Sequence, residues 1–258
     1  MKKYLVIIIL FFVACKKEQQ ENILSGKLKS ISFTLNGVPD FPAKYTMQYN
    51  CVSGELEKVW SDDTLVVTIS KAGADRVSIF YDNSRNYMAH INGNNVIQIN
   101  EVNDSGIEGA VKFKGAYLPD NIIDTMWMAG SIPIYNNFSY TGYVFENSNC
   151  IKYFNTYSVC YFYNVCNTVN DTVLMDYNLI PYSRFVPAIE TSMIAGANPD
   201  PLYLLQIMGY YTGRRNKNML QSFSIGGTTT GISYKQNTLG QITEMKVGND
   251  YVLEMEYY

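Results

Sequence analysis

The sequence predicts an all-β protein built mainly from one antiparallel, strongly curved sheet. Three observations predict it. Apolar and polar residues alternate with a period of two from residue 28 onwards, turn-forming residues separate the alternating runs, and tyrosine occurs 22 times in 258 residues. The expected sheet is a curved meander or half-barrel with one short helix near residues 200–211, and a two-sheet β-sandwich is the alternative.

The alternation predicts strands with one packed face and one wetter face. Tyr45, Met47 and Tyr49 fall on one side of their segment, and polar residues fall on the other. The same pattern recurs in three further segments: 76–82, 111–114 and 251–257. Asn92-Gly93 lies between two alternating runs and is the strongest hairpin signal in the chain.

The predicted helix lies in a proline-rich insert at residues 180–213. Asp200 can cap the N-terminus of this helix, and Pro201 suits its first position. Leu204, Leu205 and Met208 have the spacing of one buried helical face. We expect the helix to plug an open end of the sheet.

The N-terminus has the pattern of an export signal. Lys2 and Lys3 precede an apolar run at residues 4–13, which at about ten residues is too short to span a bilayer. Residues 12–15, Phe-Val-Ala-Cys, resemble a bacterial lipobox. The resemblance implies cleavage between Ala14 and Cys15 and acylation of Cys15.

These features divide the chain into three parts. We expect a lipoprotein signal peptide at residues 1–14, an acylated flexible tether at residues 15–27 and a single β-rich domain at residues 28–258. A triacylated cysteine would hold the domain at a membrane, because stable anchoring takes two or more acyl chains.

The charge argues against a nucleic-acid partner. Without Lys2 and Lys3 the mature chain keeps 18 of the 20 basic residues against 23 acidic ones, a formal charge of −5. The sequence offers Arg214, Arg215 and Lys217 as candidate anion contacts. The alternative is a solvated loop whose charges stabilise the end of the preceding helix.

The sequence offers weak candidates for catalysis. His90 is the sole histidine and has no accompanying nucleophile motif, so a surface position at a hairpin end is expected. The pairs Asp62-Asp63 and Glu55/Glu57 would need to face each other across a cleft to act as glycosidase acids. We therefore predict no catalytic, cofactor-binding or metal-binding residues.

Four cysteines follow Cys15 and allow three disulfide pairings, which the sequence leaves open. Cys160 and Cys166 would lie about 20 Å apart on one unbroken strand, beyond disulfide reach. Together with Cys51 and Cys150, they are expected to be mostly small buried residues with at most one bridge.

A weak internal repeat underlies a resemblance to a known family. Residues 49–59 and 234–247 share an aromatic residue, a turn with Gly54 or Gly240 and a following aliphatic residue, a layout that resembles YD-type hairpins. Residues 209–258 resemble the C-terminal domain of unknown function in uncharacterised Bacteroidetes envelope lipoproteins. The resemblance implies a β-rich envelope protein and brings no known activity.

The functional expectation is a non-catalytic binding or scaffolding module, lipid-anchored at the outer membrane on its periplasmic or surface face. Its partners would be the membrane, through the anchor, and a glycan, protein or lipid ligand, with no cofactor and no nucleic acid. A carrier that holds a lipid or other hydrophobic ligand in the curved sheet is the alternative. A hydrolase of surface glycans is the third hypothesis.

Overall fold

The structure is a computed structural model. It describes the following residues: 23–35, 43–82, 86–117, 123–129, 135–160, 166–186, 194–195, 198–210, 216–249 and 251–258. The predicted signal peptide with Ala14 and Cys15 lies outside the described residues, and so do Arg214 and Arg215.

The described chain forms eighteen strands and the helix α1 (Pro201–Ile207). The strands in chain order are β1 (Leu28–Leu35), β2 (Ala43–Tyr49), β3 (Leu56–Ser61), β4 (Thr64–Lys71), β5 (Arg76–Tyr81), β6 (Asn86–Asn92), β7 (Asn95–Val102), β8 (Glu108–Tyr117), β9 (Ile123–Ala129), β10 (Tyr135–Glu146), β11 (Asn149–Cys160), β12 (Cys166–Pro181), β13 (Ile194–Ala195), β14 (Asn198–Pro199), β15 (Asn218–Ile225), β16 (Thr228–Gln236), β17 (Ile242–Val247) and β18 (Tyr251–Tyr257).

Sixteen of the described strands form one large antiparallel sheet, and β13 pairs with β14 in a separate two-stranded sheet. Neighbours in sequence pair from β1 to β12, β12 pairs with β15, and neighbours pair again from β15 to β18. Because β1 pairs with both β2 and β18, the sheet closes into a barrel. The predicted all-β, strongly curved antiparallel meander with a short helix is confirmed, and the sheet is continuous rather than split into the two layers of a sandwich.

The apolar face of the sheet points into the barrel. On β4 and β5, Val67, Ile69, Val77 and Ile79 are all 4% exposed or less, whereas Phe80 points outwards and is 43% exposed. The buried side chains of the strands and of α1 belong to one hydrophobic cluster. The helix α1 therefore packs inside the ring of strands.

The helix begins as the sequence predicts but is buried on more sides. The Asp200 carboxylate accepts a hydrogen bond of 2.7 Å from the backbone N–H of Leu202, and Pro201 occupies the first turn. The sequence pattern predicted a single buried face. The structure instead buries six consecutive residues: Leu202, Tyr203, Leu204, Leu205, Gln206 and Ile207.

Burial of the Asp200 cap makes the stability of the fold depend on pH. Burial raises the pKa of the Asp200 carboxyl to about 6 from its usual 3.8, against the opposing effect of backbone hydrogen bonds from Leu202 and Tyr203. Between these two pH values the folded chain holds a proton that the unfolded chain releases. The free energy of unfolding should therefore fall as the pH rises through this window and level off above it.

We expect Asp200→Asn to remove this pH dependence, because asparagine is an equally good helix cap without the buried charge. Urea unfolding of both proteins between pH 4 and pH 7 measures it. The stability of Asp200→Asn relative to the natural chain should increase by up to about 3 kcal/mol across the window. Asp104→Asn, at an exposed turn position, is the control. Parallel curves for all three proteins would contradict the prediction.

The repeat in the sequence corresponds to a recurring asparagine–glycine loop. In the β16–β17 loop, the Asn237 side-chain oxygen accepts hydrogen bonds of 3.0 Å from the backbone N–H groups of Leu239 and Gln241. Gly240 has a φ of +76°, which glycine adopts without strain, and its N–H bonds to the Asn237 carbonyl. Equivalent asparagine–glycine pairs shape two other loops: Asn50 with Gly54, and Asn103 with Gly106.

Residues 23–27, which the sequence assigns to the flexible tether, pack against the barrel. Leu24 is 7% exposed and joins the core. The Gly26 N–H donates to the Tyr258 carbonyl at 3.2 Å, and the Lys27 N–H donates to the Leu24 carbonyl at 2.9 Å. The boundary that we placed after residue 27 therefore lies within the packed part of the chain.

The cysteines differ from the sequence expectation in two ways. Cys150 is buried, as expected, but Cys51 is an exposed free thiol. The argument from one unbroken strand also fails, because Cys160 ends β11 and Cys166 begins β12, directly opposite it in the ladder. Opposite positions in an antiparallel pair are about 4.5–5.5 Å apart, which is within the Cα separation of a disulfide.

Candidate functional site

The acidic candidates from the sequence do not form a catalytic pair. Asp62 and Asp63 make the two-residue turn between β3 and β4, with φ values of 44° and 68°. Glu55 forms an ion pair with Lys71, and Glu57 accepts a hydrogen bond of 2.7 Å from Asn50. Each acid thus has a local structural role.

His90 lies on the outward face of β6, in a polar cluster with β7 and β8. Its Nε2 atom is 2.6 Å from the Glu108 carboxylate, which also accepts a hydrogen bond from Asn100. Burial would raise the pKa of Glu108, but the hydrogen bonds from His90 and Asn100 outweigh it and lower that pKa. The histidine lies two residues from the β6–β7 turn, near a hairpin end as predicted, but it is half-buried and paired rather than exposed.

The tyrosines serve mainly as structural residues in the described part of the chain. The Tyr49 hydroxyl donates a hydrogen bond of 2.9 Å to the Leu28 carbonyl, and the Tyr203 hydroxyl donates one of 2.7 Å to the Phe185 carbonyl. The same kind of bond is made by five further tyrosines: Tyr117, Tyr177, Tyr234, Tyr257 and Tyr258. These hydrogen bonds to the backbone indicate that the high tyrosine content reflects the large amount of β-sheet.

A pocket of about 330 Å³ opens at the rim of the barrel. It is formed by the segment after β12, the β16–β17 loop, the start of β17 and the end of β18. Its lining residues are Pro181, Tyr182, Ser183, Arg184, Phe185, Gly240, Gln241, Ile242 and Tyr257. We call this the rim pocket. Its volume lies at the lower end of the range of small-molecule sites.

The helix α1 holds one wall of the rim pocket in place from inside the barrel. The Gln206 side-chain N–H₂ donates hydrogen bonds of 2.8 Å to the Arg184 carbonyl and 2.6 Å to the Val186 carbonyl. Tyr203 binds the Phe185 carbonyl between them. Three consecutive carbonyls of the wall are thus bound to buried side chains, which leaves the Arg184 side chain facing outwards.

Polar groups of the rim pocket are available to a ligand. The Gln241 side-chain oxygen accepts a hydrogen bond of 2.7 Å from Asn237, which orients the amide. Among the described residues, no acceptor binds the Gln241 side-chain N–H₂ group. Arg184 is exposed and lines the same pocket.

The candidate anion contacts Arg214, Arg215 and Lys217 stay a prediction. Arg214 and Arg215 lie outside the described residues, and Lys217 is exposed. The Lys217 carbonyl accepts a hydrogen bond of 3.0 Å from the N–H of Tyr182, a pocket residue, so Lys217 lies close to the rim pocket. Arg184 was missed, although an arginine between two aromatic residues, in Tyr-Ser-Arg-Phe, was a usable signal.

The structure describes no helix that is both long and apolar enough to cross a membrane. Within the described ranges, no cluster of three or more histidine, cysteine, aspartate or glutamate side chains could hold a metal ion. No protein-family model and no curated protein sequence matches the chain.

Two solved structures share the fold. A porin-like protein from Bacteroides uniformis has a TM-score of 0.59 and 11% sequence identity, and the match covers 91% of this chain and 99% of that chain. A porin-like protein from Bacteroides vulgatus has a TM-score of 0.56 and 11% identity, with 90% and 98% covered. The likeness at this identity extends to the fold alone.

Proposed function

We propose that the chain is a lipid-anchored, non-catalytic binding module of the cell envelope, which holds a small ligand in the rim pocket. The observation that carries this proposal is a pocket with aromatic and polar walls, one of which is fixed by hydrogen bonds to the buried helix α1. Rigid elements that present a concave, partly apolar surface suit ligand binding.

Two features favour binding over other uses of this fold. The described lining of the rim pocket contains no Asp, Glu, His or Cys residue, so this part of the wall offers no acid–base pair or strong nucleophile. The interior of the barrel is occupied by α1 and the core side chains. A ligand at the rim is therefore a better fit to the packing than one held within the barrel.

Binding without turnover is tested on the full chain, purified in detergent so that the anchor is kept. A panel of glycans, peptides, esters and lipids is screened for ligand-induced thermal shifts and, in parallel, for reaction products by chromatography. We expect at least one ligand to raise the melting temperature without forming product. Product formation from any member of the panel would overturn the proposal. Co-purified lipid would support the carrier alternative.

The envelope location rests on acylation of Cys15, which we expect Cys15→Ala to abolish. In cells fed radiolabelled palmitate, the natural chain should carry the label and the variant should not. The variant should also keep its signal peptide, so its apparent mass should be larger. Cys51→Ala changes an exposed thiol and is the control. Equal labelling, processing and membrane retention of Cys15→Ala would contradict the anchor.

A further inference from the structure

Arg184 lines the rim pocket, and Lys27 follows Gly26, whose Cβ position would lie 3.5 Å from the Nε2 atom of Gln241, another lining residue. The guanidinium carbon of Arg184 lies 5.0 Å from the centre of the Phe185 ring, and the Lys27 ammonium lies 5.4 Å from the centre of the Tyr49 ring. Among the residues that the structure describes, no Asp or Glu forms an ion pair with Lys27 or Arg184. Among the described residues, five other lysines form ion pairs with glutamates: Lys44, Lys71, Lys112, Lys235 and Lys246.

The positive charge of Arg184 acts on the Lys27 ammonium. Burial lowers the pKa of Lys27, and the nearby charge of Arg184 lowers it further. A bound anion would counter this repulsion. Opposite charges attract near a protein surface, and this attraction offsets part of the cost of desolvating them.

We propose that the rim pocket binds an anionic ligand of monosaccharide size, whose carboxylate, sulfate or phosphate group is bound by Arg184, with Lys27 adding positive charge beside the pocket. The inference rests on the proposed binding function and specifies the ligand class. The pocket volume of about 330 Å³ accommodates one sugar ring with a few waters.

The remaining walls fit the rest of such a ligand. Tyr182, Phe185 and Tyr257 supply aromatic surface against which the apolar face of a ring can pack. Gln241 supplies an unused N–H₂ donor that can bind a ring hydroxyl. Arginine suits the charged group because its planar guanidinium binds carboxylate, sulfate or phosphate oxygens in pairs.

A purely structural role for Arg184 is the competing interpretation. Its Nη1 atom lies 3.0 Å from the place that a Cβ atom on Gly209 would occupy, so the guanidinium covers the C-terminal end of α1. A cation there interacts favourably with the helix dipole. Such a role would be measured in the melting temperature of the ligand-free protein and would leave ligand affinity unchanged.

The two interpretations are separated by calorimetric titration of the full chain in detergent. The probes are glucuronate, glucose 6-sulfate, glucose 6-phosphate and uncharged glucose. We expect at least one anionic probe to bind about tenfold more tightly than glucose, and less tightly as the ionic strength rises. The order of affinity among the three anions identifies the acid group that the site prefers.

Charge-removing variants test the residues. Arg184→Gln and Lys27→Gln should each weaken binding of the preferred anion about tenfold, and their affinity for glucose should stay the same. Lys29→Gln, on the exposed face of β1, removes an equal charge outside the pocket and should leave both affinities unchanged. Melting temperatures of the ligand-free proteins show whether each variant is folded.

Three results would overturn the inference. Glucose could bind as tightly as every anion, the two charge-removing variants could bind the anions like the natural chain, or none of the anions could bind. If a neutral member of the wider panel binds while the anions do not, the ligand class is wrong and the proposed binding function stands. Product formation is the result that overturns the binding function itself.

Discussion

Leu204→Ala is expected to lower the free energy of unfolding by about 2–5 kcal/mol, the usual range for truncating a buried leucine. Leu204 lies in the middle of α1 and is 0% exposed. Neighbouring helix residues are buried too, so the helix has no exposed side towards which it could tilt to fill the space. The loss therefore combines the missing apolar contacts with a residual cavity.

Urea unfolding followed by tryptophan fluorescence measures the effect. Leu239→Ala is the matched control, because Leu239 lies in the β16–β17 loop and is 81% exposed. It should change the free energy of unfolding by less than about 0.5 kcal/mol. If Leu204→Ala costs no more than Leu239→Ala, then α1 does not lie inside the barrel and the support for the rim pocket disappears.

The strands could be predicted from the sequence because their signal is local. Tyr45, Met47 and Tyr49 are 1%, 1% and 9% exposed, as their alternation predicts. Closure of the sheet could not be predicted in the same way. It depends on the pairing of β1 with β18, between opposite ends of the domain, and no short-range pattern specifies that partnership.

The helix shows where a correct local pattern gives an incomplete answer. Leu204, Leu205 and Met208 define one apolar face, and this spacing correctly predicted the position of the helix. The opposite face carries Tyr203 and Gln206, which a single-face reading assigns to solvent. Both are buried because their polar atoms bind carbonyls of the pocket wall. Burial of a polar side chain depends on such partners, which are distant in the sequence.

The candidate site was missed for the same reason. Arg184 and Lys27 were separately assigned to a proline-rich insert and to a flexible tether. The tertiary structure brings them together, because residues 23–27 turn back onto β18 and the segment after β12 is held by α1. The sequence suggested the contiguous basic cluster around Arg214 as the anion contact. The rim pocket instead combines residues from separate segments.

Gln206→Met is expected to lower the free energy of unfolding by about 2–6 kcal/mol, because it leaves two carbonyls without their donor at about 1–3 kcal/mol each. Gln206 is 4% exposed, and its N–H₂ group binds the carbonyls of Arg184 and Val186. Methionine has nearly the same length and volume, so the substitution removes the hydrogen bonds and leaves little cavity. Gln221→Met, at an exposed position on β15, is the control and should be close to neutral.

The same variant should loosen the rim pocket while the barrel stays closed. Hydrogen exchange followed by mass spectrometry should show faster exchange in the segment 182–186 and unchanged exchange in β17, whose strand pairings do not involve Gln206. Because this readout needs no ligand, it tests the support of the pocket wall separately from the identity of what binds there. Equal protection of 182–186 in both proteins would mean that the segment keeps its shape without the Gln206 hydrogen bonds, and that the buried glutamine does not support the pocket wall.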